Sequence, residues 1–194
     1  MTVLAPASIG QGPIPHGIEA GDVILTAPQQ PDALDGLIFA AQQFAFPVAD
    51  AAFTHAAVYV ANGTIADSMP GRLITSRPFA DLTRNSFFRV LRLKGIGPAA
   101  QWDVSNAAIN LQGGYSFVQA AADALVQVSP LPSHWKQMLA ELFKLRNDYY
   151  YCSQYVNEVY LAGIQVTVVD RRSFVPLPAA FSVSPLFEDV QVHW

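Results

Sequence analysis

FTHAAVYVANGTIADSM, residues 53–69, holds two runs of strand-forming residues joined at Asn62-Gly63. Val, Tyr, Thr and Ile suit pleated, half-buried positions, and Asn-Gly is a strong hairpin signal. The stretch therefore reads as an antiparallel pair, FTHAAVYV (53–60) and TIADSM (64–69). It also carries two polar groups that need partners inside a sheet. An imidazole at His55, among small and apolar residues, costs free energy unless it is hydrogen-bonded. Asp67 is the candidate partner, and the turn decides whether the two meet. A two-residue loop at Asn62-Gly63 sets Asp67 opposite Val58, facing away from His55. A three-residue loop, with Gly63 left-handed, sets it opposite Ala57, on the face of His55. A histidine–aspartate pair thus predicts the three-residue loop. Otherwise Asp67 is a surface acid near a turn, and His55 is a core histidine satisfied elsewhere.

Outward from this pair, GDVILT (21–26), RLITSR (72–77) and SFFRVLRL (86–93) also read as strands. PDALDGLIFAAQQFAF (31–46) has helical spacing, opened by Pro31-Asp32 and ended near Pro47. Further helical patterns cover residues 98–112, 116–128, 133–146 and 152–162, and FEDVQVHW (187–194) returns as a last strand. Strands come first and helices later. That order predicts an α+β domain in which helices pack on one side of a small antiparallel sheet. A chain of 194 residues with no repeat or long linker suits one domain over 1–194, with 1–20 as an irregular lead-in.

Composition excludes some functions. The net charge is −4 and the only basic pair is Arg171-Arg172, too little for neutralising phosphates, so nucleic acid is not an expected partner. Hydrophobic residues make up 52% of the chain, yet its charge-free runs are either too short for a transmembrane segment or broken by Gln, Asn and Gly. MTVLAPASIGQGPIPHG lacks the basic and apolar regions of a secretory signal. The default location is therefore cytoplasmic, with a specialised secretion system as the route if the target lies outside. The single cysteine, Cys152, forms no internal disulfide.

That cysteine lies in YYYCSQYVNEVYLAGI (149–164), at the mouth of a predicted helix. Tyr155, Val156, Val159 and Tyr160 share its face, and Gly163 stands where a left-handed cap is expected. Free amides and the helix dipole favour a thiolate at such a position. Ordinary core packing is the competing reading. A nucleophile needs a base. His16 lies in a Gly/Pro-rich lead-in, His134 at a helix start and His193 beside the C-terminus, so none has an obvious frame. His55 does.

GDVIL, THAAVYV, an acid twelve positions after the histidine, and YYCSQYVNEVY far downstream form an ordered set. Together they resemble the circularly permuted papain-like hydrolases of the NlpC superfamily, the YiiX-like bacterial proteins in particular. Lecithin:retinol acyltransferase is a more distant likeness. The resemblance implies a permuted papain-like fold in which the histidine strand precedes the cysteine helix. It implies Cys152 as nucleophile, His55 as base and Asp67 as the third polar residue. Two positions after the cysteine such proteins often carry an acid, where this chain has Gln154.

The implied chemistry is attack by Cys152 on an amide or ester carbonyl, with the Cys152 backbone amide donating to the oxyanion. Asp22, Gln154 and Tyr151 are accessory candidates, although Asp22 is equally a strand-start residue capping its own turn. No Gly-x-Ser-x-Gly elbow, Walker loop, dinucleotide fingerprint or zinc-ligand spacing is present, so neither a cofactor nor a metal is expected.

Three functions follow. The first is a thiol amidase or peptidase, with peptidoglycan-type amides foremost. The second is a lipid-directed acyltransferase or esterase, with GLIFAAQQFAF (36–46) and FVQAAADALVQV (117–128) lining an acyl groove rather than serving as core faces. The third is a non-catalytic binding domain in which Cys152 is simply buried. A secreted effector would also have an immunity or inhibitor protein as partner.

Overall fold

The computed structural model describes residues 15–70, 72–114, 132, 150–169 and 177–193. Six strands form one antiparallel sheet: β1 (Val23–Pro28), β2 (His55–Ala61), β3 (Thr64–Asp67), β4 (Thr75–Pro78), β5 (Ser86–Leu93) and β6 (Phe187–Asp189). Their spatial order is β4-β3-β2-β1-β5-β6. The described helices are α1 (Ala33–Gln43), α2 (Val48–Ala51), α3 (Phe79–Thr83), α4 (Pro98–Asn110), α5 (Cys152–Ile164) and α6 (Pro178–Ser182). This is the expected α+β architecture. The helices read at 116–128 and 133–146 lie outside the described residues, as do His134, Arg171-Arg172 and the 117–128 stretch.

Strands β1 and β2 are apolar at nearly every position because both faces of the sheet are covered. Val23, Leu25, Ala56, Val58, Ala66 and Leu91 join Tyr155, Val156, Val159 and Tyr160 of α5 in one core. Ile24, Ala57, Tyr59, Ile65 and Val90 join Phe79 and Leu82 of α3 in a second. The long helices α4 and α5 therefore take one side, as the sequence predicts, while short α3 closes part of the other. Each fully buried Tyr or Val of α5 contributes roughly 1.5–3 kcal/mol, so this face decides where the helix sits.

The element ends differ from the sequence reading in informative ways. The helix expected over 31–46 is α1, which ends before Pro47 as expected, and Pro47 is then the N-cap of a further short helix, α2. Gln42, fully buried, ties these pieces together. Its Nε2 donates to the Ala51 and Phe53 carbonyls at 2.8 and 2.9 Å, and its Oε1 accepts from Ala179 N–H at 2.8 Å. The strand expected at 72–77 runs over Thr75–Pro78, and Leu73 forms only an isolated bridge with Gly114. The last strand is shorter than expected, and His193 instead bridges His16 through the backbone.

Gly163 is not the cap of α5. The helix continues to Ile164, and Gln165 takes the left-handed position at φ 59°. Gly163 is needed for close packing against α4. A Cβ there would stand 2.9 Å from the Asp103 carbonyl oxygen and 2.9 Å from Val104 Cα.

The hairpin is also corrected. Ala61 pairs with Thr64 around a two-residue turn, in which Asn62 and Gly63 both have positive φ, 50° and 71°. The next pairs are Tyr59 with Ile65 and Val58 with Ala66, so Val60 is an extra residue, a β-bulge. The bulge supplies the shift that a three-residue loop would have supplied. Asp67 therefore follows Ala66 opposite Ala57, on the face of His55.

Candidate active site

His55 opens β2, and Cys152 opens α5 on the far side of the sheet's end. Thr54 stands between them. Its N–H donates to Thr26 O at 3.0 Å, its hydroxyl to Asp35 Oδ1 at 2.6 Å, and its carbonyl oxygen lies 4.0 Å from Cys152 Sγ. Asp35 is itself fixed, because it and Asp32 form a reciprocal capping box at the start of α1. The backbone beside both reactive groups is thus held from three directions.

His55 Nε2 lies 2.8 Å from Asp67 Oδ2. The side chain of Asp67 is 2% exposed and that of His55 15% exposed. With Nε2 on the carboxylate, Nδ1 is the nitrogen left for Cys152. Burial pulls the His55 pKa down, but the charge of a Cys152 thiolate, its hydrogen bond with the ring, and the Asp67 carboxylate together push it up to about 10. Burial also works against ionisation of Asp67. Its bonds to His55 and Arg77 overcome this and hold the carboxyl below the usual carboxylate range. The pair therefore favours an imidazolium against the Asp67 carboxylate.

Cys152 is 3% exposed and is the first residue of α5. Tyr151 is the N-cap, and no side chain caps the helix start. The first N–H groups of a helix have no partner within it, so they offer a place for developing negative charge.

Two residues near the site were not found by sequence reasoning. Arg77, on β4, donates Nη2 and Nε to Asp67 Oδ2 at 2.5 and 3.1 Å. Ser68, directly after Asp67, donates to the Tyr150 carbonyl at 2.5 Å and ties the end of β3 to the lead into α5. Following the sheet one strand further would have suggested Arg77, since it pairs with Ile65 and is a diagonal neighbour of Asp67.

Of the accessory candidates, Tyr151 adjoins Cys152 as the N-cap of α5, and the other two fall elsewhere. Asp22 is buried at the opposite end of β2, where its backbone pairs with Tyr59. Both its oxygens accept from Arg92 at 2.8 Å, and one also accepts from Glu19 N–H at 2.8 Å. It is a turn cap and ion-pair partner, remote from Cys152. Gln154 is 8% exposed, and its Oε1 has no hydrogen-bond partner among the described residues. At two residues from Cys152 it points to another side of the helix.

No family model matches the chain, and no curated protein matches it in sequence. Among solved structures the fold is similar to that of the metalloprotein YiiX from Escherichia coli O157:H7, with a TM-score of 0.51 and 14% sequence identity. The match covers 92% of this chain and 99% of that one. The fold is YiiX-like.

Proposed function

We propose that this chain is a papain-like thiol hydrolase that cleaves amide bonds, with peptide or peptidoglycan-type amides as the foremost substrates. The observation that supports this is His55 held between Asp67 at 2.8 Å and Cys152 at the start of α5. A core histidine needs a hydrogen-bond partner such as Asp67, but it does not need a thiol beside its ring.

In this mechanism His55 holds the thiol proton before substrate arrives, and Asp67 stabilises the imidazolium and fixes the ring. The Cys152 thiolate attacks the carbonyl carbon, and the oxyanion is met by the Cys152 backbone N–H. His55 gives its proton to the leaving nitrogen as the C–N bond breaks. Water then loses a proton to His55 and attacks the thioester, releasing the acid and restoring the pair.

YiiX is described as a metalloprotein. The residues described here do not fit a resident metal. No three His, Cys, Asp or Glu side chains among them converge as ligands, and Asp67 is already engaged by His55 and Arg77. No described helix is long and apolar enough to cross a membrane.

The test is the pH dependence of Cys152 alkylation by iodoacetamide in wild type and His55→Ala, followed by muropeptides, peptide amides, acyl esters and phospholipids as substrates. Fast labelling below the ordinary thiol range, lost in the variant, together with amide turnover supports the proposal. Labelling that rises only near the ordinary thiol pKa in both proteins sinks it. Turnover of acyl esters or phospholipids alone would move the assignment to a lipid-directed enzyme.

A further inference from the structure

We propose that Arg77 is a positioning residue for this site, which aims the Asp67 carboxylate at His55 and limits how much of its charge the imidazole receives. The inference rests on the thiol hydrolase reading for its role in catalysis, but its geometry stands alone. Asp67 Oδ2 accepts from His55 Nε2 at 2.8 Å and from Arg77 Nη2 and Nε at 2.5 and 3.1 Å. A longer bond of 3.3 Å joins Nε to Oδ1. One oxygen thus serves both cations.

Two consequences follow. The second side-chain torsion of an aspartate is broad, so a carboxylate held by one imidazole alone can rotate its oxygens out of line. A guanidinium fork resists that rotation, because it is planar and bonds at two nitrogens. The second consequence is electrostatic. Beside His55 stand Cys152 from α5 and Asp67 from β3, with Arg77 of β4 on the far side of the Asp67 carboxylate, the Tyr155 phenol of α5 near Asp67 and Asp35 of α1 behind Thr54. Arg77 is the one permanent cation in that set. It opposes protonation of the ring, while Asp67 and a Cys152 thiolate favour it.

Loss of alignment alone would lower the His55 midpoint, and loss of the Arg77 charge alone would raise it. Under the proposal the charge is the larger effect, so removal of Arg77 and removal of the Asp67 charge move His55 in opposite directions. A residue that only held β4 in place would not produce that pattern. Arg77 is 17% exposed and lies on an edge strand, so its side chain can be changed with limited damage to the core.

The experiment is an NMR titration of 13C-labelled histidine in the full chain, with the His55 resonance assigned by its absence in His55→Gln. In Arg77→Gln the midpoint is expected to rise by about one unit, and in Asp67→Asn to fall by at least as much. Arg77→Lys, which keeps the charge, should stay close to wild type. An unchanged midpoint in Arg77→Gln, a fall alongside Asp67→Asn, or an Arg77→Lys shift as large as that of Arg77→Gln would each overturn the proposal. If Arg77→Gln does not fold, Arg77→Met retains the aliphatic stem and carries the same expectation. The readout is the ring itself, so an inert Cys152 would sink the hydrolase reading and leave this titration interpretable.

Discussion

Asp67 meets His55 because Val60, seven residues before it, has no partner on β3. The pairs on either side of the bulge are already in step, Ala61 with Thr64 and Tyr59 with Ile65. Deleting Val60 should therefore regularise the ladder and keep Asp67 opposite Ala57. The loss of a buried valine costs about 1.5–3 kcal/mol, measurable by urea denaturation. The raised His55 midpoint should survive. A midpoint back in the ordinary histidine range would show that the bulge does more than set register.

Stability should fall on the alkaline side because of His55. Its pKa rises from 6.5 to about 10 in the folded chain, so the folded state binds the proton more tightly. The resulting stabilisation is fully present below 6.5 and is lost as pH rises through about 10. For Asp67 the sign is reversed: its contribution is present above 3.8 and is lost as pH falls through its lowered folded value. Unfolding free energies measured across pH should decline on the alkaline side in wild type and decline less in His55→Gln. Equal slopes in the two proteins would contradict the raised pKa.

Ser68→Ala should damage the site as well as the fold. It removes the 2.5 Å donor from the part-buried Tyr150 carbonyl, at a cost of about 1 kcal/mol. It also frees the lead into α5 from the end of β3. Cys152 alkylation at neutral pH should slow even well below the melting temperature. A variant that melts earlier but labels at the wild-type rate would limit Ser68 to stability.

Gly163→Ala supplies the matching control. The added methyl meets backbone atoms of Asp103 and Val104, which cannot swing away as a flexible side chain would. Separating α4 from α5 should cost about 1–3 kcal/mol in thermal or urea unfolding, with little change in Cys152 labelling. Two residues on, Gln165→Gly should have the opposite sign. Relief of the left-handed conformation is worth about 0.5–1 kcal/mol. Wild-type stability in both variants would mean that this end of α5 is packed more loosely than its contacts indicate.

The hairpin and α5 show how far the sequence could be read. The strands around Asn62-Gly63 and the buried face of α5 follow from local patterns: alternation in one case, spacing of three and four in the other. The choice of His55 and Asp67 as partners was legible for the same reason. The device joining them was not. A loop and a bulge shift register equally, and only the second lets Asn62 and Gly63 keep their preferred two-residue turn. The end of α5 was misread because a glycine near a helix terminus suggests a cap. Gly163 instead answers to α4, whose approach no local pattern reveals. Arg77 and Ser68 were missed because their partners depend on how the chain passes from β3 to β4 and on where Tyr150 lies. Asp22 drew attention as an acid at a strand start, but it serves Arg92 and its own turn.

The order of the reactive groups along the chain has a consequence during synthesis. His55 and Asp67 sit on neighbouring strands near the beginning, whereas Cys152 arrives 98 residues after Thr54, whose carbonyl its sulfur approaches. On the ribosome the hairpin can pair early, but the thiol has not yet been made. Closing so distant a contact is entropically slow, and it waits on the α4–α5 packing that Gly163 permits. On the thiol hydrolase proposal, the nascent protein thus lacks its nucleophile, and a truncated product ending before α5 carries the histidine–aspartate pair with nothing to activate.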